Sequence, residues 1–331
     1  MKAEVVGSAS EDLCRGRYPG QEAGQLCGPG DTWLRGSALA NIVAKAFMLS
    51  YAADIGIQNG GGVRTDIARG NITLDDLYTL LPFGNTIVTL QMDGQQIKNV
   101  LEDALSNTLD LGGSTGAYPY AAGLRWKVDA SRRKYSRVYG IEVNPGLGGA
   151  WAPIDFSGAV RYTIATNDYI SGGKDGYMTF GLVPASQKVN TYLNYVRPLV
   201  DYVTRLGVVH KLPVEEYSTQ SYVSEDGCPH FGYAPGACPD GPGMPTCHDI
   251  RSTYKSNGCC GNPSKAVTEL TGPLARLHAW DRRLSQGGAA TGGRGAAGSV
   301  ASYMEENFQL KERVRSLERE LQEARASRTA S

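Results

Sequence analysis

The spacing of hydrophobic positions over the first two-thirds of the chain alternates between a helical and a strand period. Apolar residues three and four apart, the first set preceded by a candidate N-cap at Ser37, predict helices over 39–47, 74–81, 97–105 and 189–203. Alternating or continuous apolar runs predict strands over 54–58, 87–92, 124–128, 135–143 and 160–166. The dipeptide Asp93-Gly94 predicts a turn. Antiparallel-looking strands among helices favour an α+β domain over a doubly wound sheet.

The chain divides by composition into four segments. Residues 1–222 carry the regular periods and predict a folded domain. Residues 223–286 are rich in Cys, Pro and Gly and predict an irregular extension, and the Gly/Ala-rich residues 287–298 predict a flexible linker. Residues 299–327 carry charged heptads and predict a coiled-coil helix.

The heptads predict how that helix associates. Positions a are Val300, Asn307, Val314 and Leu321, and positions d are Tyr303, Leu310, Leu317 and Ala324. Valine at a with leucine at d favours a parallel two-stranded coil, and a single Asn at a specifies register and dimer. We therefore expect a parallel homodimer through 299–327. A solvated single helix with intrachain ion pairs is the alternative.

Composition excludes several classes of protein. The 33 Lys and Arg residues balance the 33 Asp and Glu residues, which argues against a nucleic-acid partner. The chain has no apolar run of 18 residues, so we expect no membrane span, and its first residues show no signal peptide. The 42 glycines among 331 residues exceed the usual share of about 7% and predict many tight turns.

No segment carries the pattern of a catalytic or metal centre. The four histidines lie outside paired-His and H-E-x-x-H spacing, and the chain has neither a phosphate-binding loop nor a G-x-S-x-G elbow. We therefore expect no catalytic residue, metal ligand or cofactor within this chain.

Two segments are nevertheless suited to binding a ligand. In 59–64, glycines such as Gly61 and Gly62 allow close approach of the backbone to a ligand, and Arg64 adds a permanently charged donor fork. In 166–177, an aromatic ring, a glycine turn and a carboxylate follow a predicted strand. Taken alone, a glycine run is more often an ordinary turn, and a phenylalanine after proline such as Phe83 is more often a core residue.

Four motifs in order carry a resemblance to a known family. They are Asn59-Gly-Gly-Gly-Val-Arg64, Leu81-Pro-Phe-Gly-Asn85, Thr115-Gly-Ala-Tyr-Pro119 and Thr166-Asn-Asp-Tyr169 with Asp175-Gly-Tyr177. Together they resemble the C-terminal, substrate-binding domain of the 5′-nucleotidase and UDP-sugar hydrolase family. The similarity covers roughly residues 8–222 and implies that family's mixed α/β layers.

The resemblance also implies roles for individual residues. Phe83 and Tyr169 would sandwich a base, Asn59 and Arg64 would bind base, ribose or phosphate, and Asp175 would bind ribose hydroxyls. Arg17 resembles a further substrate-binding arginine, although its stretch aligns loosely. The sequence departs from many members at Lys174, where they carry glycine.

In this family an N-terminal metallophosphatase domain holds two divalent metal ions, and the C-terminal domain delivers the nucleotide to them. The resemblance therefore implies part of a phosphoester hydrolase of nucleotide catabolism, acting on nucleoside phosphates, UDP-sugars or NAD. We expect no phosphatase activity from this chain alone, because it lacks the metal-binding motifs. The alternatives are a non-catalytic nucleotide-binding adaptor that dimerises through its C-terminal helix, and a structural Cys-rich surface protein.

The seven cysteines bear on the compartment. Cys14 and Cys27 flank a Pro/Gly loop and could form a disulfide, and the five later cysteines lack the C-x-x-C spacing of a zinc ribbon. A disulfide-stapled region favours an extracytoplasmic or secreted protein, as does the family resemblance. Reduced cysteines in a cytosolic protein are the alternative.

Overall fold

The computed structural model describes residues 4–20, 24–27, 29–225 and 230. Almost all of the predicted extension over 223–286, and all of the linker and the coiled-coil helix, lie outside the described residues. Within these residues, no helix is long and apolar enough to cross a membrane.

The described residues form twelve strands and seven helices. The strands are β1 (Val5–Ala9), β2 (Ile55–Asn59), β3 (Gly70–Thr73), β4 (Thr86–Met92), β5 (Pro119–Ala122), β6 (Leu124–Asp129), β7 (Val138–Val143), β8 (Ala152–Pro153), β9 (Tyr162–Asn167), β10 (Lys188–Asn194), β11 (Val208–Val209) and β12 (Thr219–Val223). The helices are α1 (Pro29–Thr32), α2 (Ala38–Ser50), α3 (Leu74–Leu80), α4 (Gly94–Leu109), α5 (Asp168–Ser171), α6 (Met178–Leu182) and α7 (Arg197–Leu206).

The strands build three sheets, each of which mixes parallel and antiparallel pairs. The five-stranded sheet has the order β10-β4-β9-β2-β5, the four-stranded sheet β12-β6-β7-β8 and the three-stranded sheet β11-β1-β3. Helix α2 packs on β2 and β5, and nearly all of its side chains are buried. The predicted mixture of helices and strands is therefore confirmed at the level of a mixed α/β fold.

Four helices begin at side-chain caps that satisfy free backbone N–H groups, and three of them bear on the sequence-based expectations. The Ser37 hydroxyl accepts from the N–H of Ala40 at the start of α2, as predicted. Thr73 and Asp76 form a capping box at α3. Asp93 does the same with Gln96 at α4, so Asp93-Gly94 begins a helix and its prediction as a turn is wrong.

The predicted helix over 189–203 is also wrong in its first half. Residues 188–194 form β10, which pairs antiparallel with β4 and completes the edge of the five-stranded sheet. Val189, Tyr192 and Leu193 are exposed, so their spacing marks no buried helical face. The helix starts only at Arg197. Pro198 lies in its first turn, where proline is tolerated because the N–H groups there have no partner within the helix.

The disulfide considered for Cys14 and Cys27 is present, with the two Cα atoms 5.8 Å apart. It closes a loop that contains the Arg15–Arg17 stretch. Both cysteines are buried against the core of the domain. This prediction is confirmed.

Candidate functional site

Sheet topology brings the four sequence motifs to one edge of the five-stranded sheet. Strand β9 is parallel to β2 and antiparallel to β4, and β5 is antiparallel to β2. The carboxyl ends of β2 and β9 therefore lie beside the amino ends of β4 and β5. The register places Asn167 opposite Ile87 and Asn59 opposite Pro119. The loops at 59–64, 81–85, 115–118 and 167–177 consequently share one end of the sheet.

The glycine loop is a single 3₁₀ turn packed closely against two other segments. The N–H of Gly60 donates to the carbonyl of Tyr118 over 2.9 Å. A Cβ atom at Gly61 would lie 2.9 Å from the Cα of Gly116, closer than real Cβ contacts. The loop at 115–118 can therefore sit against the glycine loop only because both contacting residues lack a side chain.

A polar network links the ends of β2 and β9 to the turn that follows. The Asn167 amide donates to the Gln58 side-chain oxygen over 2.9 Å and to the Asn59 side-chain oxygen over 3.3 Å. Asn59 in turn donates to Asp175 over 3.3 Å, and the Tyr169 hydroxyl donates to the other Asp175 oxygen over 2.9 Å. Partial burial, followed by the Asp175 carboxylate, raises the pKa of Tyr169 to about 12.

Asp175 sits in an unusual backbone conformation. Its φ is +52°, in the left-handed region that Asp tolerates better than most side chains. Gly176 follows at φ +78°, and the buried Tyr177 then donates its hydroxyl to the carbonyl of Ala117 over 2.7 Å. The surrounding bonds hold a conformation that costs about 1–3 kcal/mol in isolation. Such local strain is common where a side chain is aimed at a ligand.

Arg64 and Phe83 lie together on the side of β4. The Arg64 guanidinium carbon is 5.9 Å from the centroid of the Phe83 ring, and its Nη1 donates to the carbonyl of Gly61 over 3.2 Å. The backbone N–H of Phe83 donates to the hydroxyl of the buried Tyr195 over 3.1 Å. Phe83 therefore has a fixed backbone while 45% of its surface is exposed, so it is not a core residue.

A hydrogen bond connects the loops that carry Phe83 and Tyr169, close to the strands from which they emerge. The N–H of Thr86, three residues after Phe83, donates to the carboxylate of Asp168 over 3.0 Å. Tyr169 is 42% exposed, much like Phe83. Two large aromatic rings therefore stand partly in solvent on neighbouring loops of the same sheet edge. Exposed aromatic rings beside fixed polar groups are typical of a ligand site.

Arg17 reaches the same place from the N-terminal segment. Its Nη1 donates to the Thr115 hydroxyl over 3.1 Å. A Cβ atom at Gly60 would lie 2.8 Å from the Arg17 carbonyl oxygen, so that backbone also packs on the glycine loop. The structure thus brings all eight predicted site residues to one sheet edge. They are Arg17, Asn59, Gly61, Gly62, Arg64, Phe83, Tyr169 and Asp175.

Comparison with known proteins identifies the family of most of this domain. Residues 23–181 match the family described as the 5′-nucleotidase, C-terminal domain. This segment belongs to that family. Seven of the eight predicted site residues lie within it, and Arg17 lies just before it.

Individual relatives cover a longer part of the chain. The chain is 38% identical over 210 residues to the NAD 5′-nucleotidase of Haemophilus influenzae, a match that covers 62% of this chain and 34% of that protein. The solved structure of Haemophilus influenzae NAD nucleotidase superposes with a TM-score of 0.55 at 32% identity, over 66% of this chain and 38% of that one. The 5′-nucleotidase precursor of Thermus thermophilus gives 0.54 at 27% identity, over 65% and 39%. The chain therefore spans little more than a third of the length of these relatives.

Sequence patterns missed several residues that hold the loops of the candidate site together. Asn167 and Thr115 lie within the motifs but were not assigned a role, and Tyr195 lies outside them. Asn167 ends the apolar strand β9 and caps α5, a position where Asn signals a helix start. Nothing in the local sequence around Tyr195 indicates that its hydroxyl reaches the backbone of Phe83.

A cavity of about 180 Å³ lies beside the candidate site, next to Thr115. Its walls are mainly aromatic and aliphatic, and include Trp33, Leu105, Tyr118 and Tyr222. None of the eight predicted site residues lines it. The cavity is therefore separate from the exposed aromatic pair.

The described residues offer one cluster of potential metal ligands, formed by Cys14, Cys27 and Asp31. Both sulfur atoms are in the disulfide and are not the thiolates that bind metal ions. The two-metal chemistry that the family resemblance implies does not fit this cluster. No metal-dependent step is therefore assigned to the described residues.

Proposed function

We propose that the 5′-nucleotidase C-terminal domain of this chain binds the nucleoside part of a nucleotide. In this proposal Phe83 and Tyr169 hold the base between their rings. Asp175 accepts hydrogen bonds from the ribose hydroxyls, while Asn59 and the backbone at Gly61 and Gly62 line the site. The observation that carries the proposal is the pair of half-exposed aromatic rings on two joined loops beside the Asp175 network.

The charges at this sheet edge suit the remaining parts of a nucleotide. Arg17 and Arg64 supply guanidinium groups near the glycine loop, and guanidinium groups bind phosphate with paired N–H donors. Asp175 supplies the single carboxylate of the network, and a carboxylate accepts from paired hydroxyls. A nucleoside phosphate presents a flat base, vicinal hydroxyls and an anion, and each matches one of these groups.

We also propose that this domain selects the substrate of a phosphoester hydrolase in nucleotide catabolism. The hydrolytic step would belong to two divalent metal ions in a metallophosphatase domain. The family match and the names of the relatives support this assignment. Because the Haemophilus influenzae relative is named an NAD 5′-nucleotidase, dinucleotides belong among the ligands to be tested along with AMP and UDP-glucose.

Calorimetric titration of the purified chain with adenosine and AMP, beside its Phe83→Ala variant, tests the proposal. Stacking of a base on an aromatic side chain is worth about 1–3 kcal/mol by alanine substitution. We therefore expect Phe83→Ala to weaken adenosine binding by about thirtyfold, since each 1.4 kcal/mol is tenfold. Phe156 is similarly exposed, at 48%, and lies near the start of β9 at the other end of that strand.

Phe156→Ala is therefore the matched control, and we expect it to bind adenosine like the parent chain. Equal losses in Phe83→Ala and Phe156→Ala would contradict a base site at Phe83. So would a folded parent chain that binds neither adenosine nor AMP at millimolar concentration.

A further inference from the structure

Helix α4 contacts two of the site loops through polar side chains in its C-terminal half. The Thr108 hydroxyl donates to the carbonyl of Ser114 over 2.9 Å, next to the loop that packs on the glycine loop. Asp103 accepts from the N–H of Thr179 over 2.8 Å and from its hydroxyl over 2.6 Å. One helix thus holds the segment before Thr115 and the segment after Asp175.

The two bonds from Thr179 meet a need that α6 does not satisfy itself. Its N-cap residue, Tyr177, provides no side-chain acceptor for the first N–H groups of the helix. Asp103 supplies that acceptor from another element. A carboxylate in this place is favourable because the N–H groups at a helix start carry partial positive charge.

Asp103 is buried, so its charge needs compensation inside the domain. The Lys134 ammonium group lies 2.8 Å from the Asp103 oxygen that does not bind Thr179. Both oxygens of this buried carboxylate therefore have strong partners. Such a group holds its neighbours in one arrangement, because every alternative leaves a buried charge unpaired.

The anchored segment begins only three residues after Asp175. Gly176 lies against Asn107 of α4, where an added Cβ would come within 2.5 Å of the Asn107 Cβ. Asp175 itself stands at φ +52°, a conformation that persists only when the surroundings fix it. The Asn59 and Tyr169 bonds fix it from one side, and the contacts of α4 fix the chain that leaves it.

We propose that Asp103 is a positioning residue of the nucleoside site, which sets the direction of the Asp175 carboxylate through the start of α6. This inference rests on the proposed role of Asp175 in binding ribose hydroxyls. Asp103 does not touch the ligand. It acts by holding Thr179, and through it the turn at 174–176.

The test compares the dissociation constants of adenosine and 2′,3′-dideoxyadenosine, which lacks the hydroxyls that Asp175 would bind. We expect the parent chain to prefer adenosine at least tenfold, since a hydrogen bond to a charged group is worth about 1.5–3 kcal/mol. In Asp103→Ala we expect the preference to fall to about twofold, with the dideoxyadenosine constant nearly unchanged. The ratio is independent of the folded fraction, because unfolding weakens both apparent affinities equally.

Asp103→Asn keeps an oxygen that can accept from Thr179, and we expect it to retain most of the preference. Thr179→Val removes only the hydroxyl bond and replaces Asp103→Ala in the test if that variant does not fold. We expect its preference for adenosine over dideoxyadenosine to be smaller than that of the parent chain by a factor of about three. An undiminished preference in folded Asp103→Ala, or in Thr179→Val where the former does not fold, overturns the positioning role. A parent chain that binds adenosine and dideoxyadenosine equally well overturns the ribose role of Asp175 and this inference together. A folded parent chain that does not bind adenosine at all overturns the proposed function itself.

Discussion

Among single residues, Arg137 shows how strongly one carboxylate can determine the local energetics. The Arg137 side chain is buried, and its two terminal nitrogens donate to the two oxygens of Asp110 over 2.8 and 2.6 Å. Asp110 is the C-cap of α4, the helix that carries Asp103. The hydrogen bonds from Arg137 lower the pKa of Asp110 to about 2 from its usual value of 3.8.

This lowered pKa predicts how stability depends on pH. A carboxylate with a depressed folded-state pKa stabilises the fold fully above pH 4 and loses that contribution as the pH falls towards 2. We expect Asp110→Asn to lower the free energy of unfolding at pH 7 by about 1 kcal/mol, less than for a fully buried pair because the Asp110 side chain is 36% exposed and solvent screens the interaction.

Urea unfolding of the parent chain and of Asp110→Asn, at pH 7 and at pH 2.5, measures this contribution. The difference between them should shrink at the lower pH. Asp201→Asn, in the exposed pair Arg197–Asp201, is the control and should change stability by no more than about 0.5 kcal/mol. A difference for Asp110→Asn that is equal at the two pH values would contradict the assignment.

At the scale of elements, the site depends on loops that touch without side chains between them. Gly61 and Gly116 make the closest approach, between the loop after β2 and the loop before β5. Gly84 lies in another site loop, but a Cβ there would meet nothing within 4 Å. Gly61 and Gly84 thus both lie in site loops, but only Gly61 lacks room for a side chain.

We expect Gly61→Ala to push these two loops apart and to weaken adenosine binding by at least tenfold, because the new methyl group must displace the backbone of Gly116. Gly84→Ala should leave binding within about twofold of the parent chain. Calorimetry on both variants, with circular dichroism to confirm folding, makes the comparison. Equal affinities in the two variants would contradict a site built on this contact.

The same elements show what local sequence can and cannot predict. Helices α2, α3 and α4 were predictable because a 3.6-residue apolar period runs through each of them, and in α2 it follows the cap at Ser37. Several strands of two to five residues were not predicted, since they are too short for a clear period. Residues 188–194 resembled a helix because spacing alone does not reveal that an exposed edge strand pairs with β4.

The candidate site was predictable residue by residue only through the motif resemblance. Local pattern could not distinguish Phe83 from a core residue, and the structure shows it exposed. What joins the motifs is the order of strands in the five-stranded sheet, and long-range pairing has no local signal. Partners such as Tyr195 and Asp103 act across more than 70 residues of sequence and were not predictable.

At the scale of the whole molecule, the chain matches only part of the length of its relatives. The chain spans 34% of the Haemophilus influenzae NAD 5′-nucleotidase. The parallel homodimer through 299–327 stays a prediction, because those residues lie outside the described part of the chain. A domain that selects the nucleotide and a separate domain that cleaves it would account for the site found at the sheet edge.

The most direct test of this account is a crystal structure of the chain with adenosine bound. The account predicts the base between the rings of Phe83 and Tyr169, with the ribose hydroxyls within hydrogen-bonding distance of Asp175. Adenosine bound elsewhere, for example in the cavity beside Trp33 and Leu105, with Phe83 and Tyr169 still in solvent, would contradict it.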